Sequence, residues 1–338
     1  MDSIEGQMGV LRALEASTFL SDPGPRERSA LRAAAALIGG LFAGLFVAIV
    51  CGTVALIVFL GADGSLSQGL GAVQGAVMAL IHDDGRTVRS ALFILTMALA
   101  TNGPLALTFM VVASAVSGRP IRGYVTAAKR PRWRLLVAGL LLSMIWLAVL
   151  LAFSTLTDGQ ITTPPILSVA GAWSGRSLYA VCSVALLIPA AAAEELVFRG
   201  WMLRQNGAFT RNAWILMAVN GLVFSAIHGD FSPDAFLTRA IMGAGFVYMT
   251  LRLGGIEFST GAHAANNIMI VLFIEPLSLK TVSAPNVSAG SILQDVMLIA
   301  GYVLVTEFVV GWRPLRRLAG VGDRELTDPP ARVAQQFN

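Results

Sequence analysis

Long apolar runs separated by short charged loops dominate this chain of 338 residues. The runs are roughly 17–25 residues long or slightly more. They fall near 33–60, 88–116, 134–155, 177–205, 212–229, 236–252, 255–274 and 291–312. A helix of about 20 apolar residues crosses a hydrocarbon core of about 30 Å, so each run predicts a membrane span. Pro189 in the fourth run predicts a kink or a split. Residues 67–81, glycine-rich and weakly apolar, predict a surface or re-entrant helix instead of a ninth crossing. Met8, Leu11, Leu14, Phe19 and Leu20 mark an amphipathic stretch, which predicts a helix on the membrane surface or a loose tail. The expected fold class is all-α, a polytopic membrane helix bundle of about eight transmembrane helices around an intramembrane cavity.

Composition agrees with that pattern. The chain is 55% hydrophobic and 13% charged, with mean hydropathy +0.71. Soluble domains carry about 25% charged residues, so little of this chain is built for water. Basic residues alternate with the spans. Arg12, Arg26, Arg28 and Arg32 precede the first, and Arg119, Arg122, Lys129, Arg130, Arg132 and Arg134 separate the second from the third. Arg204 and Arg211 follow the fourth, Arg252 the sixth, and Arg313, Arg316 and Arg317 the eighth. The intervening loops carry Asp63, Asp83, Asp84, Asp158, Asp230, Asp234 and Glu275, with Arg86, Arg89 and Arg176 as exceptions. The positive-inside rule then places both termini in the cytoplasm. The pI near 9.5 is therefore a topology signal and implies no nucleic-acid partner. Cys51 and Cys182 lie far apart in apolar runs and offer no disulfide framework. No cleavable signal peptide is expected, and the first run stays as an anchor. Gly40 and Gly44 form a small-xxx-small pattern, which predicts close packing within the bundle. The domain reading is a cytoplasmic N-terminal segment over 1–32, a membrane domain over 33–312 and a disordered cytoplasmic tail over 313–338.

The fourth run ends on two adjacent acids, Glu194 and Glu195, followed by Arg199. Ionisable groups in a membrane span are costly and mark function by default. Glu195 and Arg199, four apart on a helix, can pair in the favoured orientation. Glu194 lies about 100° around the helix and has no partner on its own segment. A carboxylate in that position suits a general base or acid. Phe224 and His228 share a face of the fifth run, and His263 and Asn267 share a face of the seventh, beside Asn266. An imidazole and a carboxamide on one face can both donate to a developing oxyanion. The third histidine, His82, sits near an Asp-rich loop. Ser259 shares a segment with His263, which excludes a cross-helix Ser–His dyad. At about 1.5 Å per residue, Glu194 lies roughly 15 Å in from Arg204 and His263 roughly 10–15 Å into its span, while His228 comes out deeper, at roughly 25 Å.

Glu-Glu-x-x-x-Arg, Phe-x-x-x-His and His-x-x-x-Asn, in that order over successive spans, resemble the CAAX protease and bacteriocin-processing (CPBP, or Abi) family of intramembrane glutamic endopeptidases. The likeness covers roughly 177–275, which would be the catalytic core. It implies eight-helix architecture, with Glu194 and His228 activating a water and His263 and Asn267 stabilising the oxyanion. Glu195, Arg199 and Phe224 would support them. It implies no metal and no cofactor, although Glu194, His228 and His263 are ligand types that also suit zinc. The implied partners are a membrane-associated or lipidated peptide or protein substrate and the lipid bilayer. The implied location is the bacterial inner (cell) membrane. Two other readings stay open: a non-catalytic scaffold or immunity protein that uses the same polar cavity for a partner, and a proton-coupled transporter.

Overall fold

All eight apolar runs are helical in the computed structural model, which describes residues 2–62, 64–158, 163–169, 171–278 and 287–322. The chain enters through α1 (Asp2–Glu15) and continues into α2 (Ala30–Ala62), α3 (Leu70–Asp83) and α4 (Val88–Ser117). A single turn, α5 (Arg122–Val125), leads to α6 (Trp133–Asp158). Another, α7 (Pro165–Ser168), precedes α8 (Trp173–Glu195), which runs on through a π-helix (Leu196–Met202) into α9 (Leu203–Gly207). Then come α10 (Ala213–Ile227), α11 (Pro233–Leu253) and α12 (Glu257–Met269), the last extended by a second π-helix (Ile270–Ile274). α13 (Ala289–Gly311) and α14 (Arg313–Leu318) complete the described chain. The side chains of Asp63, Met8 and Asp158 lie outside the described residues.

Among the described residues, five stretches are long and apolar enough to cross a bilayer: α2, α4, residues 133–156 of α6, the continuous 173–207 segment, and α13. The count of eight crossings is thus not confirmed, although all eight helices form. α10 has 15 residues, about 22 Å of helix, and falls short of the hydrocarbon thickness. α12 has 13 residues, of which 12 are buried, so it is walled in by protein and needs no lipid-facing surface. Its neighbours are α6, α8 and α11. The approach to α6 is close because glycines face each other there. A Cβ on Gly261 would collide with the backbone of Leu136 and Leu140, and one on Gly139 with the backbone of Phe258.

Lipid-facing surface is concentrated on α2, where Phe42 and Phe46 are more than 70% exposed. In hydrocarbon such a face costs nothing, and packing must come from shape. Gly40 and Gly44 supply it as expected: the Phe109 ring of α4 lies 2.6 Å from where a Gly40 Cβ would stand, and the Leu105 carbonyl 2.9 Å from that of Gly44. Residues 70–83 form a helix, as expected of the surface or re-entrant stretch, with only Leu80 fully buried. Pro189 does not split the fourth run. α8 passes through it unbroken, and the irregularity comes later, where the Leu203 N–H reaches back five residues to the Phe198 carbonyl.

Two terminal expectations are revised. Leu14, Phe19 and Leu20 neither lie on a membrane surface nor float: they are buried in a core shared with Trp201, Leu203, Leu216 and Leu251. The segment from Glu15 to Glu27 forms a strap across one end of the bundle. Ser17 Oγ donates to the Leu251 carbonyl (2.5 Å), and the Glu27 carboxylate accepts from Arg119 Nε (2.6 Å), Arg204 Nε (3.2 Å) and the Gly24 N–H (2.8 Å). At the other terminus the chain stays folded to residue 322, with α14 formed and Ala319 and Val321 buried; residues 323–338 lie outside the described part. The basic loops meet at the strap end. Thr126 bridges to Gly255, Arg132 pairs with Glu257 (2.8 Å), and Arg252 pairs with Glu307 (2.7 Å).

Two measurements test this packing. Gly261→Ala should lower the unfolding free energy of the purified protein by about 1–3 kcal/mol, the usual cost of overpacking. A melt equal to wild type would mean that α6 and α12 do not touch there. Burial pushes the Glu27 carboxyl up, but Arg119, the Gly24 N–H and Arg204 outweigh it and hold the group below its ordinary 4.5. A depressed carboxyl stabilises the fold above its unfolded value and loses that contribution as pH falls through the folded value. The stability gap between wild type and Glu27→Gln, about 1.5–3 kcal/mol for charged hydrogen bonds, should therefore be full at pH 6–7 and shrink as pH falls below the ordinary 4.5. Denaturant titrations across that range would read it.

Candidate active site

The site grows from the end of α8. Glu195 closes the α-helix, and Arg199 stands in the π-helix that follows. Both are fully buried, and Arg199 Nη1 lies 2.9 Å from Glu195 Oε1. The guanidinium packs against three aromatic rings, with Phe224 at 4.2 Å, Phe246 at 5.0 Å and Phe198 at 5.9 Å from Cζ. Arg199 Nη2 also donates to the Gly243 carbonyl of α11 (3.2 Å). That contact requires α10 and α11 to approach closely. Gly221 and Gly243 allow it, because a Cβ on Gly243 would stand 2.9 Å from the Gly221 Cα.

α12 contributes the imidazole that joins the two acids. His263 Nδ1 lies 3.0 Å from Glu195 Oε1, and its Nε2 lies 3.7 Å from Glu194 Oε2. Glu195 is ionised against Arg199, so Nδ1 carries the hydrogen of that bond and Nε2 is the nitrogen turned toward Glu194. Phe246 stacks on the His263 ring at 5.1 Å, which sets its plane. The Glu194 side chain is 25% exposed, while Glu195 has no exposure at all. One acid is therefore part of the packed interior, and its neighbour opens onto accessible space.

His228 stands at the C-terminal end of α10, exposed on one side. Its Nδ1 is 2.7 Å from the Phe224 carbonyl. The Phe224 ring touches both imidazoles edge-on, His228 at 4.8 Å and His263 at 5.7 Å between centroids. The greater depth counted for His228 along its own helix thus does not separate the two. Each helix enters at its own level and tilt, so rise per residue fixes no relative height between helices. The charge of Glu194 acts on His228 as well. Asn267 is partly buried one turn beyond His263, and its carboxamide oxygen faces the Asn266 Nδ2 (3.4 Å). Its amide group remains the donor end. Ser259 is buried and bonded to the Ile256 carbonyl (3.0 Å) and to Thr250 (3.1 Å). His82 sits on α3, away from this cluster. Among the described residues no three His, Cys, Asp or Glu side chains converge as metal ligands, so the zinc set of Glu194, His228 and His263 gains no support. Phe198, Gly243 and Phe246 escaped the sequence reading, since an apolar residue in an apolar span carries no local mark.

A family profile described as type II CAAX prenyl endopeptidase Rce1-like matches residues 175–269, the stretch that supplies every one of these side chains. Over that stretch the chain is similar to the CAAX protease family. That family is one of intramembrane CAAX-type proteases. A relative from Bacillus subtilis (strain 168), the uncharacterized protein YyaK, is 30% identical over 165 residues, or 46% of this chain. The chain spans about half (53%) of that relative's length. No solved structure matches.

The geometry separates a framework acid from an accessible one, and stability measurements should too. Arg199→Met strands Glu195 in the interior and should cost about 3–5 kcal/mol, seen as loss of monodisperse folded protein. Glu194→Gln should cost less than about 1 kcal/mol. Equal losses in the two variants would contradict the assignment.

Proposed function

We propose that this protein is an intramembrane endopeptidase that hydrolyses a peptide bond in a membrane-associated or lipidated substrate. The observation that carries the reading is His263, set between Glu195 and Glu194, with Phe224 joining it to His228. Glu194, with His228, takes a proton from a water, and the resulting hydroxide attacks the scissile carbonyl. The carbonyl oxygen becomes an oxyanion facing His263 Nε2 and the Asn267 amide. Nε2 donates when the ring carries both protons. The proton held at the Glu194–His228 pair then passes to the leaving nitrogen, so the products are a carboxylate and an amine. Glu195 and Arg199 take no part in proton transfer. They hold the segment and the His263 ring. No step in this scheme is assigned to a metal or cofactor.

The same reading places the protein in a bacterial cell membrane with both termini in the cytoplasm. The basic loops share the end that carries the strap, which is the arrangement the positive-inside rule describes. The site would then open toward substrates that present a lipid-anchored or membrane-inserted end.

Glu194→Gln, His228→Ala and His263→Gln should each lower cleavage by at least about 100-fold, as loss of a general base or oxyanion donor does, while the folded yield stays near wild type. Comparing membrane peptides from cells with wild type and with Glu194→Gln would find the substrate, as a cut that only wild type makes. Identical peptide profiles, with full phenotypic rescue by Glu194→Gln, would sink the protease reading in favour of a partner-binding role.

A further inference from the structure

We propose that Glu27, on the N-terminal strap, is a positioning residue for the candidate active site and acts through Arg204 on the π-helical register of the segment carrying Arg199. The role rests on the reading of that site given above, but its test does not use activity.

Arg204 lies two residues beyond the π-helix and is 5% exposed. Its guanidinium donates to the Phe19 carbonyl, to the Ser21 carbonyl (2.7 Å) and to Glu27 (3.2 Å). Next to it, Gln205 Nε2 donates to the Glu27 carbonyl (2.6 Å), and Arg211 Nη2 to the Leu20 carbonyl (2.5 Å). Leu20 fills the space over Gly207, 2.7 Å from where a Cβ would stand. Residues 204–211 are therefore held from outside their own helix. Glu27 is itself braced by Arg119, at the far end of α4.

A π-turn closes its hydrogen bond over five residues where an α-turn uses four. Relaxing the segment to α-helix would rotate everything beyond it by about 100° and shift it by about 1.5 Å. The upstream end cannot follow, because Glu195 is pinned by His263. Rotation would instead fall on Arg204 and carry its buried guanidinium away from Phe19, Ser21 and Glu27. The strap contacts and the π register thus stand or fall together. Arg199 sits in the middle of that register, so its reach to Glu195 and to the Gly243 carbonyl depends on it. A strap that never touches the site can in this way set the geometry of its framework pair.

Amide hydrogen exchange, read by mass spectrometry on the full chain in detergent at pH 7, tests the coupling. In Glu27→Gln, amides over 197–204 should exchange roughly tenfold faster than in wild type, beyond the common rise that the lower global stability gives to α2 and α13. Glu27→Asp, which keeps the charge and is the milder lesion, should lie between the two. Unchanged exchange over 197–204, with only the strap loosened, would overturn the proposal. So would a rise in α2 and α13 as large as that over 197–204, which would mark general loosening alone. Because no substrate is involved, a failed protease reading would leave this result standing, and the reverse also holds.

Discussion

A salt bridge with no exposure to solvent governs the interior of this protein. Burying two charges costs several kcal/mol per ion even after relaxation, and a single contact between them rarely repays it. Glu195 and Arg199 do not rely on one contact. The carboxylate also receives His263, and the guanidinium also reaches the Gly243 carbonyl and lies against three phenylalanine rings. Cation–π attraction strengthens as water is excluded, which suits a cation in a dry interior. Apart from Phe198 these partners come from α10, α11 and α12, so the pair can exist only where those helices are already assembled on α8.

That requirement explains features that have no other evident purpose. Gly221 and Gly243 let α10 and α11 meet closely enough for a backbone carbonyl to reach Arg199. Gly139 and Gly261 draw α12 against α6, while Phe246 of α11 covers the face of the His263 ring. The helix that carries His263 is short and nearly all buried, because it faces protein and not lipid. The outer helices take the opposite solution. α2 turns its phenylalanines outward and packs on α4 through glycines.

The two adjacent glutamates show how helical rotation divides roles between neighbours. About 100° separates their side chains, enough to seat one in the packed interior and leave the other at an accessible wall. A single imidazole then touches both environments. Its Nδ1 is spent on the framework acid, and its Nε2 is turned to the accessible one. The proposed hydrolysis uses that division: one charge held in place, and one group free to take and return a proton.

Much of this was legible in the residues. The apolar runs predicted every long helix, since a bilayer accepts only segments that satisfy their own backbone. The Glu195–Arg199 pair followed from four-residue spacing, and the small-xxx-small contact of Gly40 and Gly44 from side-chain size. Ionisable side chains in apolar spans marked Glu194, His228 and His263, because such groups are too costly to occur idly. Local periodicity could go no further. It could not tell a helix that crosses lipid from one enclosed by other helices, so eight runs could not be sorted into crossings. It gave no sign that Leu14, Phe19 and Leu20 would find a buried core, or that the helix after Glu195 would widen into a π-turn. Nor could it say that His263 would stand between both acids with Phe246 against its face. Those outcomes depend on which surfaces meet across the bundle, and contact between distant segments leaves no periodic trace in either one.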